Sequence, residues 1–354
     1  MEKLSFWNEL FENTANTAQQ NIDNSVATYE NQEEVNKIVE RINDNVSRSL
    51  LIDLKKNINK ILKNKQEEQN GFNERLYKLW KEPLDLLRVF LILSEEIGRC
   101  YNNKLRPQKA KENDIVFEAL IRLHARSTLI GGEIYTLLCN GYAFGAMARW
   151  RSLHETAVTT YFIVEHGNIV AEKYLLHEKI ETYKAMKQYN DYAKKLNAMP
   201  LSEKEITEME HVKDELCQRY GKDFENEYGW AAAELNKEKP TFRDIENKVG
   251  LDHWRPYYKM ASYSIHPSSK SLMFILGLKG KKNIMLAGPS NADLEEPGCN
   301  TAISIFQINT VLLAREPDYL HNVVAKTMLY LLEEIEQSFL KVAKTIDNTP
   351  RFKS

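Results

Sequence analysis

Glycine and proline are scarce in this chain, and long stretches contain neither residue. The sequence of 354 residues has 14 glycines and 10 prolines. Because these two residues supply most of the turns that a β-rich fold needs, their scarcity favours long helices. Apolar residues also recur at intervals of three and four, which is the periodicity of an amphipathic helix. The sequence therefore predicts an all-α protein built as a multi-helix bundle.

The N-terminal third is predicted to be a polar helical appendage. Between residues 30 and 70 the apolar residues lie three or four apart among charged ones, at Val35, Ile38, Val39, Ile42, Val46, Leu50 and Leu54. A second helix is expected over 72–103, ending at Asn102-Asn103 and Pro107. The polar segment 106–113 then predicts a boundary. The expected division is an appendage at 1–112, a main helical domain at 113–346 and a tail at 347–354.

A helical hairpin is expected at the centre of the main domain. Residues 114–139 are apolar over most of a helical circumference, which is typical of a central helix. Asn140-Gly141 supplies a turn, so a helix over 142–166 should pack back on the first one. Further along the chain, Ser202 and Glu205 have the spacing of a capping box and predict the start of another helix.

Composition limits the kinds of partner. Lys and Arg number 48 against 50 Asp and Glu, a formal net charge of -2, so any nucleic-acid site must be a local patch. The chain has no C-x-x-C pair, which argues against a disulfide framework and a structural zinc site. No signal-like apolar region begins the sequence, and no apolar run reaches the roughly 20 residues of a membrane span. We expect a cytoplasmic protein without a membrane partner.

Charged residues interrupt an apolar helical run in the segment 131–155, GGEIYTLLCNGYAFGAMARWRSLHE. Charged side chains are almost never fully buried unless they are paired. The charged residues here therefore either form a structural ion-pair network or line a pocket, and both interpretations stay open. Spacings of three and four place three of them on one helix face: Arg151, His154 and Glu155.

The pocket interpretation predicts metal-independent cleavage of RNA. A histidine that titrates near neutral pH can accept the proton of a 2'-hydroxyl, and a neighbouring guanidinium stabilises the phosphate in the transition state. The candidate catalytic residues of this segment are His154, Arg149, Arg151 and Glu155. Glu133 and Arg126, seven residues apart on the preceding helix, are expected on the substrate-binding side of the site.

A second candidate segment is aromatic-rich and contains His266 directly before Pro267. His266 is either a second acid/base group or a histidine that caps the end of a helix. Tyr258 and Ser262 lie at helical spacing before it on the same face. The candidate substrate-binding residues of this segment are Tyr258, Lys259, Ser262 and Tyr263.

Neither a metal nor another cofactor is expected. A carboxylate metal site in a helical bundle requires two Glu-x-x-His motifs, and the pattern occurs here at Glu208 and His211 within a very polar segment. The sequence also has no Walker loop, no dinucleotide-binding glycine motif and no HExxH motif.

An ordered set of motifs between residues 114 and 315 resembles a bacterial family of unknown function. These motifs are ARS-x-x-x-GGEI at 125–134, GAMARWRSLHE at 145–155, YGWAA at 228–232, YYKMASYSIHP at 257–267 and GPSN at 288–291. More distantly, Arg149 and His154 resemble the Arg-x4–6-His motif of the HEPN superfamily. That superfamily is all-α, often dimeric, and includes metal-independent ribonucleases of toxin–antitoxin and phage-defence systems.

The HEPN resemblance implies an endoribonuclease in which Arg149 and His154 are catalytic. It also implies RNA as substrate, an antitoxin or defence-system partner and a homodimer. The alternative hypothesis is a non-catalytic binding or regulatory protein. In that case the Arg–His–Glu network is structural, and the charged helices recruit a partner.

Overall fold

A computed structural model describes residues 6–26, 31–273, 276–277 and 286–348. Over these residues the chain forms twelve α-helices and three short 3-10 turns, without a strand, which confirms the predicted all-α multi-helix fold. The helices are α1 (Phe6–Val26), α2 (Gln32–Lys111), α3 (Ile115–Cys139), α4 (Ala143–His166), α5 (Asn168–Ala193), α6 (Glu203–Tyr220), α7 (Ala232–Leu235), α8 (Phe242–Lys248), α9 (Arg255–Tyr263), α10 (Ser269–Met273), α11 (Glu295–Ala314) and α12 (Tyr319–Asn348).

The chain forms two compact units, Met1–Glu74 and Arg75–Ser354. The first unit contains α1 and the beginning of α2. Its part of α2 is polar and largely exposed, and side-chain pairs one helical turn apart, such as Lys37 with Glu33, lie on its surface. Every candidate site residue belongs to the second unit.

The second part of α2 belongs to the core of the second unit. Its buried side chains include Trp80, Leu84, Leu87 and Phe90, all at 0% exposure. The helix bends at Trp80, whose φ of -104° and ψ of 18° are not helical. Pro83 explains this bend, because a proline ring clashes with the backbone of the preceding turn.

Helix α2 continues through Pro107, past the end expected near residue 103. The last turns are held by side chains: Arg106 donates to Glu118 at 2.6 Å, and Lys109 pairs with Asp114 and Glu316. These contacts to later parts of the chain outweigh the local proline signal. The division between the two compact units falls between residues 74 and 75. The domain boundary expected at residue 112 stays a prediction.

Helices α3 and α4 form the expected hairpin. The Asp114 side chain accepts a hydrogen bond from the Phe117 N–H and so caps α3. Gly141 has a φ of +76°, which the turn between the helices requires and glycine adopts at little cost. Helix α11 packs against both helices, and the Trp150 indole donates to the Asn300 carbonyl at 3.0 Å.

Shorter helices complete the second unit around this hairpin. Helices α8 and α9 pack on α4, and α5 packs on α3, α4 and α6. The Ser202–Glu205 capping box begins α6 as expected. This arrangement places the segments that carry His154 and Tyr258 against each other, although they are distant in the sequence.

Candidate functional site

His154 is buried in the packed interior between α4, α8 and α9. Its exposure is 1%, and its ring stacks on Trp150 with 5.4 Å between centroids. Its Nε2 donates to Glu246 Oε1 at 2.9 Å, and Glu246 has 0% exposure. Arg255 donates to the other Glu246 oxygen at 3.0 Å. These bonds join α8 and α9 to α4 and leave the imidazole out of contact with solvent.

Four predicted site residues meet nearer the surface than His154 and Glu246. We name Arg151, Glu155, Tyr258 and Ser262 the Arg151 cluster. The Arg151 Nε donates to Glu155 Oε1 at 3.2 Å, and its Nη1 lies 3.4 Å from Ser262 Oγ. The guanidinium lies 4.5 Å from the centre of the Tyr258 ring, and the Tyr258 hydroxyl donates to Glu155 at 2.5 Å. The sequence spacing therefore identified residues that the fold does bring together.

The Arg151 cluster is partly open to solvent and balanced in charge. The side chains of Arg151 and Glu155 are 24% and 35% exposed. Burial, and then the hydrogen bond to Glu155, raise the pKa of Tyr258, so its hydroxyl remains a neutral donor at physiological pH. Since Glu155 compensates the charge of Arg151, the cluster alone has no strong attraction for an anion.

The other residues of the α3–α4 hairpin lie apart from this cluster. Arg149 pairs with Glu133 across the hairpin. Arg126 is exposed on α3. The two side chains of this ion pair are partly exposed, at 32% for Arg149 and 42% for Glu133.

His266 is exposed in the turn that follows α9. Its backbone N–H donates to the Ser262 carbonyl at 3.0 Å, which places it one turn beyond the Arg151 cluster. Within the described residues, no hydrogen bond or ring contact joins its side chain to His154. Lys259 is also exposed, and the Lys270 ammonium lies 4.9 Å from the centre of the Tyr263 ring.

A model of a family of unknown function (DUF5677) matches residues 117–283. The expected similarity to a family of unknown function is thus confirmed over this range, which contains every candidate site residue from Arg126 to His266. Neither a curated protein nor a solved structure matches the chain. These comparisons show no similarity to the HEPN superfamily.

The described residues contain no group of three or more His, Cys, Asp and Glu side chains arranged to hold a metal ion. None of the helices described is long and apolar enough to cross a membrane.

Two features of the site were missed from the sequence. The first is Glu246, which shares the inward face of α8 with Phe242 and Ile245; its position four residues after Phe242 was the available signal. The second is that the segment 253–292, which contains the candidate residues Lys259 and His266, has no acidic residue. Its basic residues are Arg255, Lys259, Lys270, Lys279, Lys281 and Lys282. Nucleic-acid binding by a chain of net charge -2 would require a local basic surface.

Proposed function

We propose that the protein binds RNA through the surface of α9 and the turn that follows it. We name the exposed residues Lys259, His266 and Lys270 the basic face. The observation that carries the proposal is that the exposed lysines Lys259 and Lys270 lie in a segment of forty residues without an acidic residue. Lysines attract phosphates independently of base sequence.

The network of His154, Glu246 and Arg255 has a structural role in this proposal. A catalytic histidine must come within hydrogen-bond distance of the substrate, whereas His154 is 1% exposed and bonded to a fully buried carboxylate. The network joins α8 and α9 to α4 and so sets the position of the basic face. This favours the alternative of a binding protein over catalysis by His154.

Titration of a labelled 20-nucleotide single-stranded RNA tests the proposal. The double substitution Lys259→Ala and Lys270→Ala should weaken binding about tenfold at moderate salt and reduce the slope of log affinity against log salt by about 1 to 2. The matched control is Lys194→Ala with Lys204→Ala, two exposed lysines outside the basic face. Equal losses in both double variants, or no binding by the unmodified protein, would refute the proposal.

A second candidate is a metal-independent endoribonuclease of a defence or toxin-type system. It is favoured by the partial exposure of Arg151 and Ser262 one turn from the exposed His266. His266 would then act as the acid/base group and Arg151 would contact the phosphate, while an antitoxin or defence-system partner and a homodimer would accompany this activity. Cleavage of RNA by purified protein in EDTA tests this candidate.

A further inference from the structure

A cavity of about 650 Å³, broadly open to solvent, lies between the second part of α2 and α3. Small residues on α3, Ala125 and Gly132, leave room for it, while the His124 ring packs against Gly98 on α2. A Cβ added at Gly132 would meet no atom within 4 Å, so this wall is open. The volume is within the range of small-molecule sites, about 300–1,000 Å³.

The buried side of this cavity contains His124, a histidine whose hydrogen bonding is fixed by its neighbours. His124 is 4% exposed, and its Nε2 lies 3.1 Å from Asn309 Oδ1. The Asn309 amide donates to Ser94 Oγ at 2.7 Å and to the Ile305 carbonyl at 2.8 Å. Because both amide hydrogens are used, Asn309 Oδ1 is the acceptor and His124 Nε2 carries the proton.

The other ring nitrogen of His124 is consequently a hydrogen-bond acceptor. Burial lowers the pKa of His124, so the ring stays neutral and Nδ1 keeps its lone pair. Within the described part of the chain Nδ1 has no hydrogen-bond partner. The Nδ1–Cε1 edge lies against Gly98, where an added Cβ would be 2.4 Å from either atom, and both residues line the cavity.

We propose that this cavity binds a small, uncharged, mostly apolar molecule that donates one N–H or O–H group to His124 Nδ1. Two charged side chains of the wall are already paired, Arg99 with Glu96 and Glu133 with Arg149. Glu95, a further wall residue, would repel an anion. The cavity therefore selects a hydrogen-bond donor, and it is a different site from the basic face.

Indole and 1-methylindole form a matched pair of probes, because methylation removes the N–H donor and keeps the ring. By isothermal titration calorimetry, indole should bind the full-length protein about fivefold more tightly than 1-methylindole, the difference expected for one hydrogen bond. Gly132→Leu should weaken indole binding at least tenfold by filling the cavity, and leucine is a good helix former. Arg122→Leu, on the exposed side of the same helix, should change it less than twofold.

His124→Gln tests the acceptor itself. The glutamine amide nitrogen can replace Nε2 as donor to Asn309, whereas the Nδ1 acceptor is lost, so the preference for indole should disappear. If this variant fails to fold, the comparison of indole with 1-methylindole and the Gly132→Leu variant still test the proposal. Absence of saturable indole binding, equal affinity for both probes, or indole binding unchanged by Gly132→Leu would overturn the proposal.

Discussion

At the scale of single residues, Glu246 depends on its two partners. A fully buried carboxylate has lost its water and keeps only the hydrogen bonds that the fold supplies, here from His154 and Arg255. Removing a partner of a buried charged group commonly costs about 3–5 kcal/mol, and removing His154 leaves one Glu246 oxygen without its hydrogen bond while Arg255 still bonds the other. His266 has no such role, since its side chain is exposed.

The two histidines should therefore respond differently to substitution. We expect His154→Ala to lower the free energy of unfolding by about 3 kcal/mol. His154→Gln should lower it by only about 1 kcal/mol, because the amide can still donate to Glu246. His266→Ala should change it by less than about 0.5 kcal/mol, as is usual at exposed positions. Urea denaturation followed by circular dichroism measures all three values.

The same variants separate the two proposed functions. If the protein cleaves RNA in EDTA, His266→Ala should abolish cleavage and His154→Gln should retain it. A stable His154→Gln protein that no longer cleaves RNA would instead assign the acid/base role to His154 and contradict its structural role.

At the scale of elements, the first turn of α8 determines whether Glu246 stays in place. Asp244 accepts hydrogen bonds from Lys237 at 2.8 Å and from the Thr241 N–H at 2.7 Å. The Lys237 contact first, and the Thr241 contacts next, lower the pKa of Asp244 to about 2. An unfolded aspartate titrates near pH 3.9, so the ionised form stabilises the folded state above about pH 4 and this stabilisation is lost as the pH falls toward 2.

Asp244→Asn should consequently destabilise the protein in a pH-dependent way. At pH 7 we expect a loss of about 1 kcal/mol, the usual value of a helix cap. The difference from the unmodified protein should shrink between about pH 4 and pH 2, where Asp244 becomes protonated. Urea denaturation of the variant and of the unmodified protein at several pH values measures this difference in the free energy of unfolding. A difference that is constant with pH would show that Asp244 acts through its shape and not through its charge.

Helices whose ends are set by local sequence signals could be predicted from the sequence. The α3–α4 hairpin follows from an apolar helical run and from Asn140-Gly141, and α6 begins at the Ser202 capping box. The continuation of α2 through Pro107 was missed, because side chains from other parts of the chain hold it. A proline signal is local, and the contacts that outweigh it are not.

The candidate site was predictable in part for the same reason. Arg151 and Glu155 are four residues apart on one helix, so their pairing follows from spacing alone. Their contact with Tyr258, and that of His154 with Glu246, join residues about one hundred positions apart. Burial of His154 could therefore not be predicted, because it depends on how α8 and α9 pack against α4.

At the scale of the whole molecule, the basic face and the cavity both belong to the unit Arg75–Ser354. A protein of residues 75–354 should fold alone, unfold in one cooperative transition and bind RNA within about twofold of the full chain. A protein of residues 113–354, which begins at the boundary expected from sequence, is the control.

The shorter protein should not fold stably. It lacks Trp80, Leu84, Leu87 and Phe90, each at 0% exposure, and burying one such side chain contributes about 1.5–3 kcal/mol. Their combined loss, roughly 6–12 kcal/mol, is comparable to the typical stability of about 5–15 kcal/mol for a folded protein. Thermal unfolding and size-exclusion chromatography compare the two proteins. If residues 113–354 unfold as cooperatively and at the same temperature as residues 75–354, the second part of α2 belongs to the appendage, and the boundary at residue 112 is correct.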